Sequence, residues 1–301
     1  MSHYKRPLII RKFIEFTIWP IEALFVGLLV GIMRLLPVRV TSSVFGWLFS
    51  KIGPKTKYHK RCLSHIALAM PELDKAKHEA IIKDMWAHLG RLAGEYPHIH
   101  KMGSQDFLTL HGAEHLDKVS DGAIILGGHL GNWEMNMMVA AMTSRHYGLV
   151  YRPLNNPLTN WLLDMRHLRG EADTYAKGQD AARGIMNTLK KKGLVFLFVD
   201  QKYRQGIMAD FMGHPASTPI GHVRIALKKK VPLIFMRCLR REGCHYDVYI
   251  EEPIYIYTDG KVTDEAVHQS AQMINDKLSS WIRQTPAQWL WPHRRWGKKD
   301  N

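Results

Sequence analysis

A histidine and a glutamate stand five residues apart near the middle of this 301-residue chain, in a stretch that contains several glycines. His129 and Glu134 enclose Leu130-Gly131-Asn132-Trp133, directly after Gly127-Gly128. A carboxylate beside an imidazole fixes its tautomer and stabilises the imidazolium, while the other ring nitrogen removes a proton from an attacking hydroxyl. The pair therefore predicts general-base catalysis, worth roughly 10²- to 10⁴-fold in rate. The spacing alone also allows a histidine that only satisfies turn carbonyls.

The residues around this pair predict how the chain positions it. The apolar run 123–126 is short and bounded by glycines, which is typical of a buried strand. Asn132 is the predicted N-cap of a helix running to Ala141, so Glu134 is expected in the first turn, where the helix dipole favours a carboxylate. His129 then lies beyond the carboxyl end of the strand, where open α/β sheets bind their ligands.

The rest of the chain predicts the same fold class. From Gly112 onward strands and helices alternate, which indicates an α/β fold with a central, mainly parallel sheet flanked by helices. The predicted strands are 107–111, 123–126, 148–151, 194–199, 233–238 and 246–250. The predicted helices after Gly112 are 132–141, 158–165, 179–191, 221–229 and 267–282. Before them, 37–103 is expected to be helical, with Thr41 or Ser42 starting one helix and Leu73-Asp74 preceding another.

Charged side chains follow the predicted strands. Arg152, Asp200 and Arg237 each stand at or beyond a strand end, so they can converge on the edge that carries His129. Arginine suits an anionic substrate, because its fork matches phosphate and carboxylate geometry. Taken singly, each such residue is more often part of a structural ion pair.

Several motifs occur together in a recognisable order. His-Leu-Gly-Asn-Trp-Glu at 129–134 matches the histidine, four residues, acid motif of the glycerolipid acyltransferases, and its form resembles the lipid A secondary acyltransferases of Gram-negative bacteria. The further matches are 151–157 (Tyr-Arg-Pro-Leu-Asn-Asn-Pro), Arg166, Asp200-Gln201, Phe211-Met212-Gly213 with Thr218-Pro219, and 291–296 (Trp-Pro-His-Arg-Arg-Trp). The resemblance covers nearly the whole chain.

The resemblance implies a reaction and residue roles. An acyl chain would pass from an acyl carrier protein thioester to a hydroxyl of a lipid A precursor, with His129 as general base oriented by Glu134. Arg152, Arg166 and Asp200 would bind substrate. No cofactor and no metal are expected. Relatives of this branch that acylate another glycolipid or an aminolipid share these motifs, so they remain an alternative.

The net charge of +15 predicts acidic partners. An anionic membrane, an anionic lipid and acyl carrier protein all qualify, and the cluster Lys51, Lys55, Lys57, Lys60 and Arg61 suits anionic headgroups as well as a solvated face. No helix-turn-helix, zinc-finger or aromatic-basic RNA motif supports nucleic acid as the partner. From a different functional class, a catalytically inactive, basic, membrane-tethered binding protein remains an alternative.

The N-terminus predicts a membrane anchor. Residues 16–33 carry a single charge, Glu22, and are just long enough to span a bilayer core. We expect an anchor over 1–37 and an acyltransferase domain over 38–301, at the bacterial inner membrane with the catalytic domain on the cytoplasmic face. A hydrophobic helix packed on a soluble domain is the alternative, because Glu22 and Pro20 interrupt the span.

Overall fold

The fold is that of a computed structural model, which describes residues 7–104, 106–142, 145–165, 172–176, 178–256 and 261–297. The helices are α1 (Leu8–Phe13), α2 (Trp19–Leu35), α3 (Val38–Ile52), α4 (Lys57–Ala69), α5 (Lys75–Glu95), α6 (Met135–Met142), α7 (Trp161–Asp164), α8 (Gln179–Lys190), α9 (Gly221–Lys229) and α10 (Asp264–Gln284). The strands are β1 (Leu108–His111), β2 (Ala123–Gly127), β3 (Tyr147–Tyr151), β4 (Ala172–Ala176), β5 (Leu194–Phe198), β6 (Ile207–Phe211), β7 (His214–Thr218), β8 (Leu233–Arg240) and β9 (Tyr246–Ile250).

Seven of the strands form one sheet in the order β1-β9-β8-β2-β5-β3-β4. The five strands from β8 to β4 run parallel, whereas β9 is antiparallel to β8 and pairs in parallel with β1. The prediction of an α/β fold with a mainly parallel sheet is therefore confirmed. Because β2, β5 and β3 are adjacent and run in the same direction, the residues that follow them lie at one edge of the sheet.

The central strand β2 divides two hydrophobic cores. All five of its residues are buried. Ile124 and Leu126 pack into the cluster that contains α10, while Ala123 and Ile125 pack into the cluster on the other face. Successive side chains of a strand point to opposite faces, so a continuous apolar run is what a sheet covered on both sides requires.

The long helices follow the sequence pattern, but two predicted helix starts are wrong. Asn132 does not cap a helix, because α6 begins only at Met135. Asp74 caps α5 by accepting a hydrogen bond from the Lys77 amide at 2.8 Å, as predicted. The prediction that Thr41 or Ser42 starts a helix is wrong, because α3 begins at Val38 and both side chains are buried within it. The Ser42 hydroxyl donates to Glu95 at 2.7 Å, so it serves tertiary packing rather than capping.

The structure contains strands that the pattern did not predict. β4 lies at an edge of the sheet and has the mixed sequence Ala-Asp-Thr-Tyr-Ala, without the apolar run of a central strand. β6 and β7 form a hairpin whose two-residue loop is Met212-Gly213, with φ angles of 52° and 83°. Two positive φ angles are typical of a type I′ turn, which matches the twist of the paired strands. The Phe211-Met212-Gly213 motif thus contains the turn of this hairpin.

The N-terminal residues Leu8–Leu35 form one helical run, with a π-helical segment over Ile14–Ile18. This run is long and apolar enough to cross a bilayer by length and composition. Many of its large apolar side chains are exposed, among them Ile9, Phe16, Ile21, Leu24, Phe25, Leu28, Ile32 and Leu35. Glu22, the single charge within residues 16–33, accepts a hydrogen bond from the Asn156 side-chain amide at 3.2 Å, and this amide also donates to the Trp19 carbonyl at 2.9 Å. The interrupting charge therefore has a polar partner in the folded domain.

Candidate active site

The turn after β2 is held from two sides. The Gly131 amide donates to the Gln288 carbonyl at 2.9 Å, and the Asn132 amide donates to the Cys238 carbonyl at 3.1 Å. Gly131 has a φ of +61°, and a Cβ at this position would lie 1.6 Å from the Cys238 carbonyl oxygen. Only glycine fits there, because any side chain would push the turn away from β8.

Asp200, which follows β5, lies directly beside His129. Its Oδ1 is 2.8 Å from His129 Nδ1, and its Oδ2 accepts hydrogen bonds from the His129 amide and from Trp289 Nε1, both at 2.9 Å. The carboxyl group is only 2% exposed. Burial raises the pKa of Asp200, but the adjacent His129 imidazole and these hydrogen bonds lower it more, to about 2. Asp200 is therefore an ionised acceptor at neutral pH.

This contact assigns the proton of the imidazole. An ionised carboxylate only accepts, so Nδ1 of His129 must carry the hydrogen and Nε2 has the free lone pair. The ring lies between Trp133 and Phe198, with centroid distances of 5.3 and 5.1 Å. The side chain is 19% exposed. Gln201 Nε2 lies 3.3 Å from His129 Nε2, which marks a polar position beside the basic nitrogen.

Glu134, five residues after His129, makes a different contact. It is 7% exposed and directly precedes α6 rather than lying in its first turn, and its Oε1 accepts a hydrogen bond from Trp133 Nε1 at 3.1 Å. His129 Nδ1 donates its hydrogen bond to Asp200, which we expected to bind substrate. The orienting role of Glu134 stays a prediction, and Asp200 has the geometry for that role.

Of the three arginines predicted at the site, the structure places one, Arg152, at the sheet edge that carries His129. Arg152 follows β3 and is exposed at the same sheet edge as His129, with β5 between their two strands. Arg166 lies outside the described residues. The Arg237 guanidinium packs 5.1 Å from the Trp281 ring and donates to Gln284 at 2.9 Å, a structural arrangement.

A second buried carboxylate, Glu95, connects the turn to the surrounding elements. Glu95 is 1% exposed and receives both Nη1 and Nη2 of Arg240, at 2.6 and 2.9 Å. The Tyr246 hydroxyl, the Ser42 hydroxyl and, at 3.4 Å, the Asn132 side-chain amide also donate to it. Glu95 thus connects α3, β8 and β9 to the turn that carries His129.

His88 gives this support a second contact. Its Nε2 is 3.1 Å from the Gly131 carbonyl, and Arg240 Nε lies 3.4 Å from its Nδ1. Burial, and then the neighbouring Arg240 charge, lower the pKa of His88 to about 3. The imidazole is therefore neutral, with Nε2 as the donor to the turn.

The C-terminal motif closes the site. The Leu290 amide donates to the His129 carbonyl at 3.1 Å, and Trp289, which contacts Asp200, packs edge-on against Trp291. The buried Arg295 donates to the Ser217 carbonyl and lies 4.3 Å from the Phe211 ring. Sequence reasoning missed Trp289 and Gln201 as neighbours of His129. Their positions in the sequence could have indicated this, because Trp289 lies just before the motif 291–296 and Gln201 directly follows Asp200.

Comparisons with known proteins identify related sequences. A sequence model of the family described as bacterial lipid A biosynthesis acyltransferase matches residues 11–298. A lipid A biosynthesis acyltransferase from Haemophilus influenzae is 24% identical over 83% of this chain and 81% of its own length. The lipid A biosynthesis palmitoleoyltransferase of Escherichia coli is 28% identical over 58% of this chain and 55% of its own.

A further relative and one solved structure are also similar to parts of this chain. A phosphatidylinositol mannoside acyltransferase from Mycobacterium tuberculosis is 24% identical over 65% of this chain and 62% of its own length. The crystal structure of a 1-acyl-sn-glycerophosphate acyltransferase from Thermotoga maritima covers 84% of this chain and 98% of its own, with a TM-score of 0.40 and 14% identity. On the match of its sequence to the family model from residue 11 to residue 298, the chain belongs to the bacterial lipid A biosynthesis acyltransferases.

Proposed function

We propose that the protein transfers an acyl chain from an acyl carrier protein thioester to a hydroxyl group of a lipid A precursor. The observation that carries the mechanism is the 2.8 Å contact of His129 Nδ1 with the buried Asp200 carboxylate. It leaves Nε2 as the base that takes the proton of the acceptor hydroxyl. The resulting alkoxide attacks the thioester carbonyl, the tetrahedral intermediate collapses, and the leaving thiolate recovers the proton from His129.

Two carboxylates serve the histidine in this proposal. Asp200 holds the imidazole and stabilises the imidazolium, as the third member of a triad does. Glu134 accepts a hydrogen bond from Trp133, whose ring lies beside His129, and through this contact it helps to orient His129. Arg152 and Arg166 bind the anionic substrate. Backbone amides of the Gly127-Gly128 turn supply the oxyanion donors, each typically worth about 3 kcal/mol.

We propose that Leu8–Leu35 anchors the protein in the bacterial inner membrane, with the catalytic domain on the cytoplasmic face. The exposed apolar side chains of this helix support an anchor. The contact of Glu22 with Asn156 supports its placement, because Asn156 belongs to the segment that follows Arg152 at the catalytic edge. A lipid acceptor would then reach His129 directly from the bilayer.

The exposed lysines 51, 55, 57 and 60 would speed encounter with acyl carrier protein and anionic headgroups. Turnover with the carrier protein should therefore fall as ionic strength rises. Turnover that is indifferent to salt, and to reversing the charge of these lysines, would contradict this part of the proposal.

The decisive experiment follows a radiolabelled acyl group from acyl carrier protein to a lipid A precursor in detergent. Wild type should form product, and His129→Ala should reduce the rate by several orders of magnitude. Glu134→Ala tests the prediction for that residue separately. Undiminished product with His129→Ala would mean that this turn is structural.

A second candidate acceptor is another glycolipid. The similarity to a phosphatidylinositol mannoside acyltransferase favours including it in the same assay. Product with that glycolipid alone would assign the acceptor there and leave the mechanism unchanged. Binding of acidic lipid without turnover on any acceptor would favour the inactive binding protein.

A further inference from the structure

A cavity of about 460 Å³ opens beside the active site and has a basic lining. Its charged or titratable lining residues are Arg61, His65, Lys202, Arg204, His293 and Arg294. None of the eight described lining residues is acidic. A volume in this range admits a small polar group together with part of the molecule that carries it.

Three distant segments build this cavity. Arg61 and His65 come from α4, Lys202 and Arg204 from the loop after β5, and His293 and Arg294 from the C-terminal motif. Their convergence is held by specific contacts. Arg61 Nη1 donates to the Pro292 carbonyl at 3.1 Å, and His65 Nδ1 lies 3.1 Å from the Trp291 carbonyl. Arg61 is thus fixed on the C-terminal motif, in contrast to the neighbouring exposed lysines.

The cavity adjoins the reacting groups. Lys202 stands two residues after Asp200, and its amide donates to His293 Nε2 at 3.1 Å. The segment that contains His293 begins at Leu290, whose amide bonds to the His129 carbonyl. Burial is the main cause that lowers the pKa of His293 to about 4, although the nearby Asp200 carboxylate raises it. His293 is therefore a neutral imidazole whose Nε2 accepts the hydrogen bond of the Lys202 amide, and it joins the cavity lining to the segment that contacts His129.

We infer that this cavity binds a phosphate group of one of the substrates, an inference that rests on the proposed function. Arginine forks and lysine ammonium groups are the side chains that recognise phosphate, and a concave lining without carboxylates strengthens their attraction. Two substrates carry such a group. One is the sugar phosphate of an acceptor glycolipid, and the other is the phosphodiester in the thioester-bearing arm of the carrier protein.

A second basic cavity provides a matched control. It has a volume of about 440 Å³, and its lining includes Lys118, Lys190, Lys229 and Lys230 together with Asp121. Residues 118–122 precede β2 and 229–232 precede β8, so this cavity lies at the opposite edge of the sheet from His129. Removing two charges there changes the net charge equally without touching the proposed site.

The first arm of the test measures phosphate binding without catalysis. Inorganic phosphate is titrated calorimetrically into the full chain in detergent, for wild type, for Lys202→Gln with Arg294→Gln, and for Lys190→Gln with Lys229→Gln. Loss of charge-assisted hydrogen bonds should weaken binding to the first double variant by about tenfold or more. The control variant should match wild type. Equal binding by all three proteins, or no binding by wild type, overturns the inference.

The second arm identifies the source of the phosphate through KM. With an acceptor source, the Lys202→Gln, Arg294→Gln variant raises KM for the phosphorylated acceptor about tenfold but not for the dephosphorylated one. With a donor source, KM rises for acyl carrier protein but not for a short acyl thioester that lacks the phosphodiester. Unchanged KM values for both substrates contradict the inference. Absence of turnover by wild type contradicts the proposed function instead, and the titration still tests the cavity.

Discussion

Two buried carboxylates contact the same turn and are paired with basic side chains of different chemistry. Glu95, which contacts Asn132 in the turn, is paired with Arg240, whose guanidinium keeps its charge at any accessible pH. Asp200, beside the turn, is paired with His129, which can gain and lose a proton. Their burial is nearly equal, at 1% and 2% exposure. The chemistry of the partner, rather than burial, distinguishes the carboxylate with a structural role from the one for which we propose a catalytic role.

The remaining contacts extend this difference. Glu95 accepts from Arg240, Tyr246 and Ser42 within the protein interior, so its oxygens are committed to packing. Asp200 accepts hydrogen bonds from the ring and the amide of His129 and from Trp289. These bonds orient His129 and the residues around it. Disrupting the first carboxylate should therefore affect stability, and disrupting the second should affect rate.

The largest effect is expected for Asp200→Asn. The amide can donate to Nδ1, which favours the tautomer with the proton on Nε2 and removes the base. We expect kcat to fall about 10³- to 10⁴-fold, by analogy with the same change in a serine protease triad. The unfolding midpoint should change little. Steady-state acyl transfer and thermal unfolding measure the two quantities, and a rate within tenfold of wild type would contradict the assignment.

Glu95→Gln should have the reverse profile. It leaves the Arg240 charge without its buried counterion, which typically costs about 3 to 5 kcal/mol of unfolding free energy. The folded fraction should retain kcat within a few-fold. Since this variant risks failing to fold, Glu95→Leu with Arg240→Leu serves as its companion and should recover much of the stability. Loss of activity in a stable, folded Glu95→Gln protein would erase the distinction between the two carboxylates.

Gly131→Ala tests the turn that joins the two regions. The Cβ meets the Cys238 carbonyl oxygen and the backbone needs a positive φ, so we expect a loss of about 2 to 3 kcal/mol together with reduced turnover. Gly213→Ala is the matched control, because φ is +83° and nothing lies within 4 Å of the added methyl group. It should cost only about 1 kcal/mol. Similar losses in both proteins would show that the contact with β8 is unimportant.

The smallest effect concerns acid stability. Burial is the main cause that lowers the pKa of His88 to about 3, so the folded chain stays unprotonated there while the unfolded chain binds a proton near pH 6.5. The free energy of unfolding is not reduced by His88 above pH 6.5, and it falls as the pH decreases toward 3. His88 should contribute a loss of about 1 kcal/mol between pH 6.5 and 5.5.

Urea unfolding at the two pH values measures this loss in wild type and His88→Gln. The variant should have the shallower pH dependence. His268→Gln, which changes an exposed histidine, should leave the slope unchanged. An identical slope in all three proteins would mean that His88 is protonated in the folded state.

Much of the fold is visible in the local pattern. The strand 123–126, the helix 221–229 and the strand 246–250 agree with the structure within a residue, because buried strands and amphipathic helices have distinct periodicities. β4 was not predicted, because edge strands tolerate polar residues and so lack a clear apolar pattern. The helix predicted over 158–165 is reduced to a 3-10 turn at Pro157–Thr159 and the short α7, since Asn156 caps a tight turn there.

The sequence by itself determined that His129 follows a buried strand, that charged residues follow the neighbouring strands, and that their motifs belong to one family. It did not determine which carboxylate meets the histidine. Asp200 is 71 residues away, whereas Glu134 is near in sequence. The tertiary structure decided this through the parallel register of β2 and β5, which pairs Gly127 with Phe198. His129 and Asp200 each lie two residues beyond that pair, so they reach the same edge together. Periodicity specifies strands and faces locally, but register depends on how distant strands pack.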